Sequence, residues 1–161
     1  FHLPENVKII LGGYSLAGLF ALWASTQTDL FYGVAAASPS VWFPGWMEFE
    51  QQYPMQTQHI YLSLGNKEEH TKNAVMAVVG DNIRTLHSRL TERGADCTLE
   101  WNSGGHFKDA DLRTAKAFRW TMEEQDQLPH PAADPSCGRR TSEAEGKAAA
   151  LPQAVQEELQ H

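Results

Sequence analysis

The sequence is short of cysteine, of basic residues and of long apolar runs, and it carries no aromatic residue after Trp120. Its two cysteines, Cys97 and Cys137, stand in unlike contexts. Neither has a second cysteine or an H-x-x-x-H pair near it, which argues against a metal site, and no cofactor is expected. A reduced thiol is the default for Cys97, and with it a cytoplasmic location. Thirteen Lys and Arg against 20 Asp and Glu leave a formal charge of −7. With no basic block in the chain, nucleic acid and anionic membrane surfaces are not expected partners. No apolar run approaches the roughly 18 residues of a membrane span, and no signal peptide is visible. The chain opens at Phe1, almost directly before a buried-looking strand, so an absent upstream portion is expected.

What is present suits a single packed domain. A length of 161 residues, 42% of them hydrophobic and 10% aromatic, fits one domain of roughly 100–200 residues with a real core. Composition changes near Glu124. The stretch 125–161 holds four of the eight prolines, in "LPHPAADPSCGRR" and at Pro152, together with Ala, Glu and Gln. It cannot bury enough apolar surface to offset chain entropy, and a disordered tail is expected there. Its last residues, "LPQAVQEELQH", read either as a frayed end or as a short amphipathic helix on a partner. The expected division is therefore a domain over 1–124 and a tail over 125–161.

Within 1–124, strand and helix patterns alternate. An apolar, β-branched run over 7–11 predicts a strand ended by Gly12 and Gly13. Leu16, Leu19, Phe20 and Trp23 then repeat at helical spacing, predicting that they form the buried face of a helix. "YGVAAAS" predicts a buried strand over 34–37, and "HIYLSLG" another over 60–64. Val75, Val79, Ile83, Leu86 and Leu90 predict one long helix stopping near Gly94, with Asp81 on its polar side. Cys97, Leu99 and Trp101 alternate with Thr98 and Glu100 as a fourth strand. A last helix, with Asp109 as its N-cap, carries Leu112, Ala115, Phe118 and Met122 toward the core. Strands separated by helical crossovers predict an α/β fold with a parallel sheet covered by helices on both faces.

In open parallel sheets, ligands bind beyond the C-terminal ends of the strands. The polar residues there are Ser15, then Ser38, then Glu68 and Glu69, then His106. Serine is a weak nucleophile until a base takes its proton. Histidine can do so near neutral pH, and a carboxylate fixes the histidine's tautomer. The order serine, acid, histidine is that of the α/β-hydrolases.

Each member also has a plain structural explanation. Gly13-Tyr14-Ser15-Leu16-Ala17 matches G-x-S-x-[GA], which arises by chance about 0.1 times in a chain this long. Taken alone, Ser15 reads equally well as a helix N-cap. Its place between strand and helix favours a nucleophile turn, with the Leu16 amide aimed at a developing oxyanion. His106 lies in "NSGGHF", where paired glycines allow the backbone to swing a ring toward a pocket. Glu68 and Glu69 each read also as a solvated loop charge, and a serine–histidine dyad without an acid stays open.

These residues resemble a known family. "GGYSLAGLFALWAS", "AAASPSVWF", "LSLGNKEE" and "GGHF" are similar to the esterase branch of the α/β-hydrolases that includes enterochelin-esterase-like and esterase-D-like proteins. The resemblance spans 7–122, with four motifs in order. It implies Ser15 as nucleophile, His106 as base, and Glu68, three residues after Gly65, as the acid in preference to Glu69. It also implies that Tyr14, Ser38, Trp42, Phe43 and Trp46 border the substrate pocket, although core packing explains those aromatics equally well. The elbow has Ala17 where the family commonly has glycine. The family fold further implies several strands before the elbow, one of whose loops supplies a second oxyanion amide. None of these is in the sequence, so the chain matches the C-terminal part of the fold. The expected function is hydrolysis of a small carboxylic ester through an acyl-enzyme, the alternative being a truncated or degenerate hydrolase that only binds. Siderophore esters, sugar-linked acyl groups, peptides and thioesters all stay open as substrates, as does acyl transfer in place of hydrolysis.

Overall fold

A computed structural model describes residues 7–123 of the chain. The tail expected over 125–161 lies outside the described residues. The elements run β1 (Ile10–Tyr14), α1 (Leu16–Gln27), β2 (Gly33–Ala37), α2 (Trp46–Gln52) and β3 (His59–Gly65). A 3₁₀ turn (Glu68–His70) follows, then α3 (Ala74–Ala77), α4 (Val79–Glu92), β4 (Asp96–Asn102) and α5 (Ala110–Met122). The four strands form one sheet in sequence order. All three pairings are parallel, with Tyr14 opposite Ala37, Ala37 opposite Ser63, and Gly65 opposite Asn102. The four C-terminal ends therefore lie along one rim.

Both faces of the sheet are covered. On one, Val34, Ala36, Ile60, Leu62 and Leu64 pack with Leu19 and Leu22 of α1 and with Val79, Ile83, Leu86 and Leu90 of α4. Each buried Val, Leu or Ile among them contributes about 1.5–3 kcal/mol. On the other, Ala35, Ala37 and Tyr61 meet Ala117, with Tyr14, Phe118 and Trp120 around them. This second layer is close because its residues are small. A Cβ added at Gly12 would lie 2.5 Å from the Ala35 carbonyl oxygen and 2.8 Å from the Phe118 ring. Gly12 and Gly13 accordingly belong to β1 and do not end it. The strand begins at Ile10, later than the apolar run suggested.

Three helix expectations are corrected in the same way. In α1 the buried residues include Gly18, Leu19, Leu22, Ser25 and Thr26, while Leu16 and Phe20 are half exposed. This helix is apolar almost all round, so periodicity could not choose its inner face. The long helix expected over 75–90 is two helices. Asn73 caps the first through its side-chain oxygen, which accepts from the Val75 and Met76 amides, and α4 starts at Val79, leaving Val75 exposed. The chain leaves α4 through Gly94 at φ +86°, as a C-terminal glycine allows. In α5 the inner residues are Arg113, Ala117 and Thr121, and Leu112, Ala115 and Met122 face outward. Asp109 stands at the N-cap of α5 as expected, its carbonyl accepting from the Arg113 amide at 2.9 Å, but it is left-handed and its side chain makes no capping bond. The Cys97 thiol packs against the core, where burial pushes its pKa up to about 12. Such a thiol is not a nucleophile at neutral pH.

Candidate active site

The rim of C-terminal strand ends gathers Ser15, Glu68 and His106 from three different connections. Ser15 sits between β1 and α1 at φ +60°, ψ −121°, a conformation that costs a non-glycine residue about 1–3 kcal/mol and persists only where its surroundings impose it. Those surroundings are three backbone bonds. The Ser15 amide donates to the Ala37 carbonyl, and the Ser15 carbonyl accepts from the amides of Leu19 and Ser40, each at 3.1 Å. The Ser15 side chain makes no capping bond to α1, which removes the N-cap explanation. Its Oγ instead lies 3.0 Å from His106 Nε2 and 3.3 Å from Ser40 Oγ. Leu16 is the first residue of α1, so its amide has no acceptor within the helix.

His106 follows β4 in a loop tied to the loop after β3. The Asn66 amide donates to the Asn102 carbonyl and the Lys67 amide to the Gly104 carbonyl, while Asn66 Oδ1 accepts from the Gly104 amide at 2.9 Å. The Tyr14 hydroxyl donates to the His106 carbonyl, with the two rings 5.2 Å apart. Tyr14 thus holds the histidine loop from beneath. Phe107, the next residue, is 92% exposed, its ring edge-on to His106.

Glu68 reaches His106 from the 3₁₀ turn. Its Oε2 lies 2.7 Å from His106 Nδ1. A carboxylate only accepts, so the imidazole proton belongs on Nδ1 and leaves Nε2 free to take the Ser15 proton. The other oxygen, Oε1, accepts from the Gly65 amide at 2.7 Å, Ser38 Oγ at 2.9 Å and Arg113 Nη2 at 2.8 Å. Burial alone would raise the Glu68 carboxyl. The bonds from His106, Arg113, Gly65 and Ser38 outweigh it and hold the group down to about 2. Glu69 is turned away, its carboxylate paired with Arg84 at 2.9 Å through both oxygens.

This depressed carboxyl predicts a pH dependence of stability. A group whose folded pKa lies below its unfolded value contributes stability above the unfolded value, near 4.5, and loses it as pH falls toward about 2. In urea unfolding at a series of pH values, the stability advantage of the wild type over Glu68→Gln is expected to be full at pH 6 and to shrink between about 4.5 and 2. An advantage constant across that window would contradict the bonding around Oε1.

The residues expected either to border a substrate pocket or to pack in the core lie beside Glu68 and in the main core. Ser38, 1% exposed, donates to Glu68 and accepts from Arg113. Phe43 and Trp46 are buried in the main core, and Trp42 packs against it, stacked on Phe43. Arg113, Ser40 and Asn66 were not singled out from sequence. Nothing in the sequence marks Arg113, because the apolar spacing of α5 predicts Leu112, Ala115, Phe118 and Met122 on the inner face and Arg113 off it. Among the described residues no group of His, Cys, Asp or Glu is arranged to hold a metal ion, and no helix is long and apolar enough to cross a membrane.

No family model matches the chain, and no curated sequence is similar to it. Among solved structures it is similar to the siderophore hydrolase EstA from Aspergillus nidulans, with a TM-score of 0.50 and 21% identity over 71% of this chain and 48% of that one. It is also similar to esterase PE8, with a TM-score of 0.48 and 18% identity over 68% of this chain and 47% of that one. At such identity the likeness to EstA is one of fold: the described residues form part of an α/β-hydrolase-like fold. The chain spans about half the length of the two proteins it matches.

Proposed function

We propose that the chain carries the reacting groups of a serine hydrolase acting on carboxylic esters, with Ser15 as nucleophile, His106 as base and then acid, and Glu68 as the residue that orients His106. The observation that carries this reading is the continuous run from Ser15 Oγ to His106 Nε2 and from His106 Nδ1 to Glu68, at 3.0 and 2.7 Å. Ser15 Oγ attacks the ester carbonyl carbon, its proton passes to His106 Nε2, and the carbonyl electron pair moves onto oxygen, where the Leu16 amide donates to it. Collapse of this adduct expels the alcohol oxygen, which takes the proton from His106. Water then attacks the acyl carbon and gives its proton to His106. The second collapse releases the carboxylic acid and returns that proton to Ser15. Half-exposed Leu16 and exposed Phe107, the chain neighbours of Ser15 and His106, favour an ester with an apolar group.

The competing reading, a binding module without turnover, draws on one observation. Among the described residues β1 pairs on one side only, and Leu16 is the one amide expected to face the oxyanion. Losing one oxyanion donor typically costs about 10²–10³ in turnover. A fluorophosphonate probe separates the two, because it needs an activated serine but no second turnover step. Labelling of the wild type at Ser15, absent in Ser15→Ala, is the expected result. Equal labelling of both proteins, or none of either, would sink the hydrolase reading.

A further inference from the structure

We propose that Arg113 is a positioning residue of this site, holding Glu68 and the backbone on both sides of His106 in one geometry; the inference builds on the hydrolase reading above. Its side chain is 3% exposed, and its guanidinium spans the two parts that must meet. Nη2 donates to Glu68 Oε1 at 2.8 Å and to Ser38 Oγ. Nη1 donates to the carbonyls of Gly105 and Lys108, at 3.3 and 3.4 Å. These carbonyls flank His106 in the chain. The guanidinium also lies 5.4 Å from the Tyr14 ring, whose hydroxyl holds the His106 carbonyl. Acid and base are thus gripped by two nitrogens of one rigid plane.

The grip is directional. Arg113, Ser38 and the Gly65 amide together fill Oε1. Oε2 is left for His106 Nδ1. A glutamate has one more rotatable bond than an aspartate and needs such anchoring to present a single oxygen. Lysine could keep the positive charge but not the planar fork, so charge and positioning are separable.

The test is made on the full chain. In proton NMR, the His106 Nδ1 proton facing Glu68 is expected well downfield of the amides in the wild type and absent in Glu68→Gln, which assigns it. Arg113→Lys is expected to broaden or abolish that resonance and to slow p-nitrophenyl acetate hydrolysis by about 10–100-fold, by analogy with the loss on removing the outer partner of a metal-bound histidine or carboxylate. In a Glu68→Gln background the same substitution is expected to cost less than about twofold, because Arg113 acts through Glu68. A merely structural arginine would instead give losses that multiply. Should Arg113→Lys fail to fold, Arg113→Gln, which keeps an amide donor without the charge or the fork, is expected to broaden the resonance likewise. An unchanged resonance in the folded variants would overturn the proposal. Should Ser15 prove unreactive, the resonance still reports whether Arg113 holds Glu68, so the two ideas fail separately.

Discussion

Replacing Ser15 by alanine is expected to lower ester hydrolysis by about 10⁴-fold or more, and His106→Ala by a similar factor. The double variant is expected to be no worse than either single one. The two side chains perform one act. Without the hydroxyl there is nothing for His106 Nε2, 3.0 Å away, to deprotonate. Without the imidazole, the hydroxyl stays a poor nucleophile. Whatever rate survives belongs to the Leu16 amide and to substrate binding, neither of which the substitutions touch. Initial rates with p-nitrophenyl acetate for the wild type, both single variants and the double variant check this. Losses that multiply would mean that Ser15 and His106 act separately, and the proton path proposed between them would be wrong.

Much of this site could be read from sequence because parallel strands announce their own ends. Buried on both faces, β2 and β3 read as short, continuous apolar runs, and each stops at a polar turn. Glu68 follows β3, Ser15 the glycine-containing β1 and His106 the half-buried, alternating β4, so each candidate stands just past a strand end. The sheet order then brings together what lies far apart in the chain. Residues that depend on which way a helix is turned could not be read. The apolar spacing of α5 put Leu112 and Met122 inside, but the sheet face there is lined by Gly12, Ala35 and Ala37. Ala117 and Thr121 fit so close an approach, and turning the helix to use them carries Arg113 in toward Glu68. Trp42, Phe43 and Trp46 illustrate the reverse case. The family resemblance implies a pocket there and core packing explains them equally well; Phe43 and Trp46 lie in the core with residues of α1 and α4, since large aromatics yield most when buried.

The strand ends also explain why Gly65→Ala is expected to damage fold and site together, while Gly105→Ala is expected to be nearly silent. A Cβ on Gly65 would lie 2.4 Å from the Gly104 carbonyl oxygen and 2.8 Å from Glu68 Oε1. That carbonyl cannot simply retreat, since it accepts from the Lys67 amide at 3.1 Å, and Gly104 itself is held at φ +111°. The methyl group must therefore part the turn leading to His106 from the turn carrying Glu68. Overpacking of this kind costs about 1–3 kcal/mol. A displacement of about 1 Å between reacting groups costs about 10²-fold in rate. A Cβ on Gly105, by contrast, would meet no atom within 4 Å, and Gly105 has no positive φ, so alanine there is expected to change stability by less than about 0.5 kcal/mol. Urea unfolding and hydrolysis rates of the two variants, measured side by side, make the comparison. If Gly65→Ala were as well tolerated as Gly105→Ala, the β3 and β4 ends could not approach as closely as the contact between Glu68 and His106 requires.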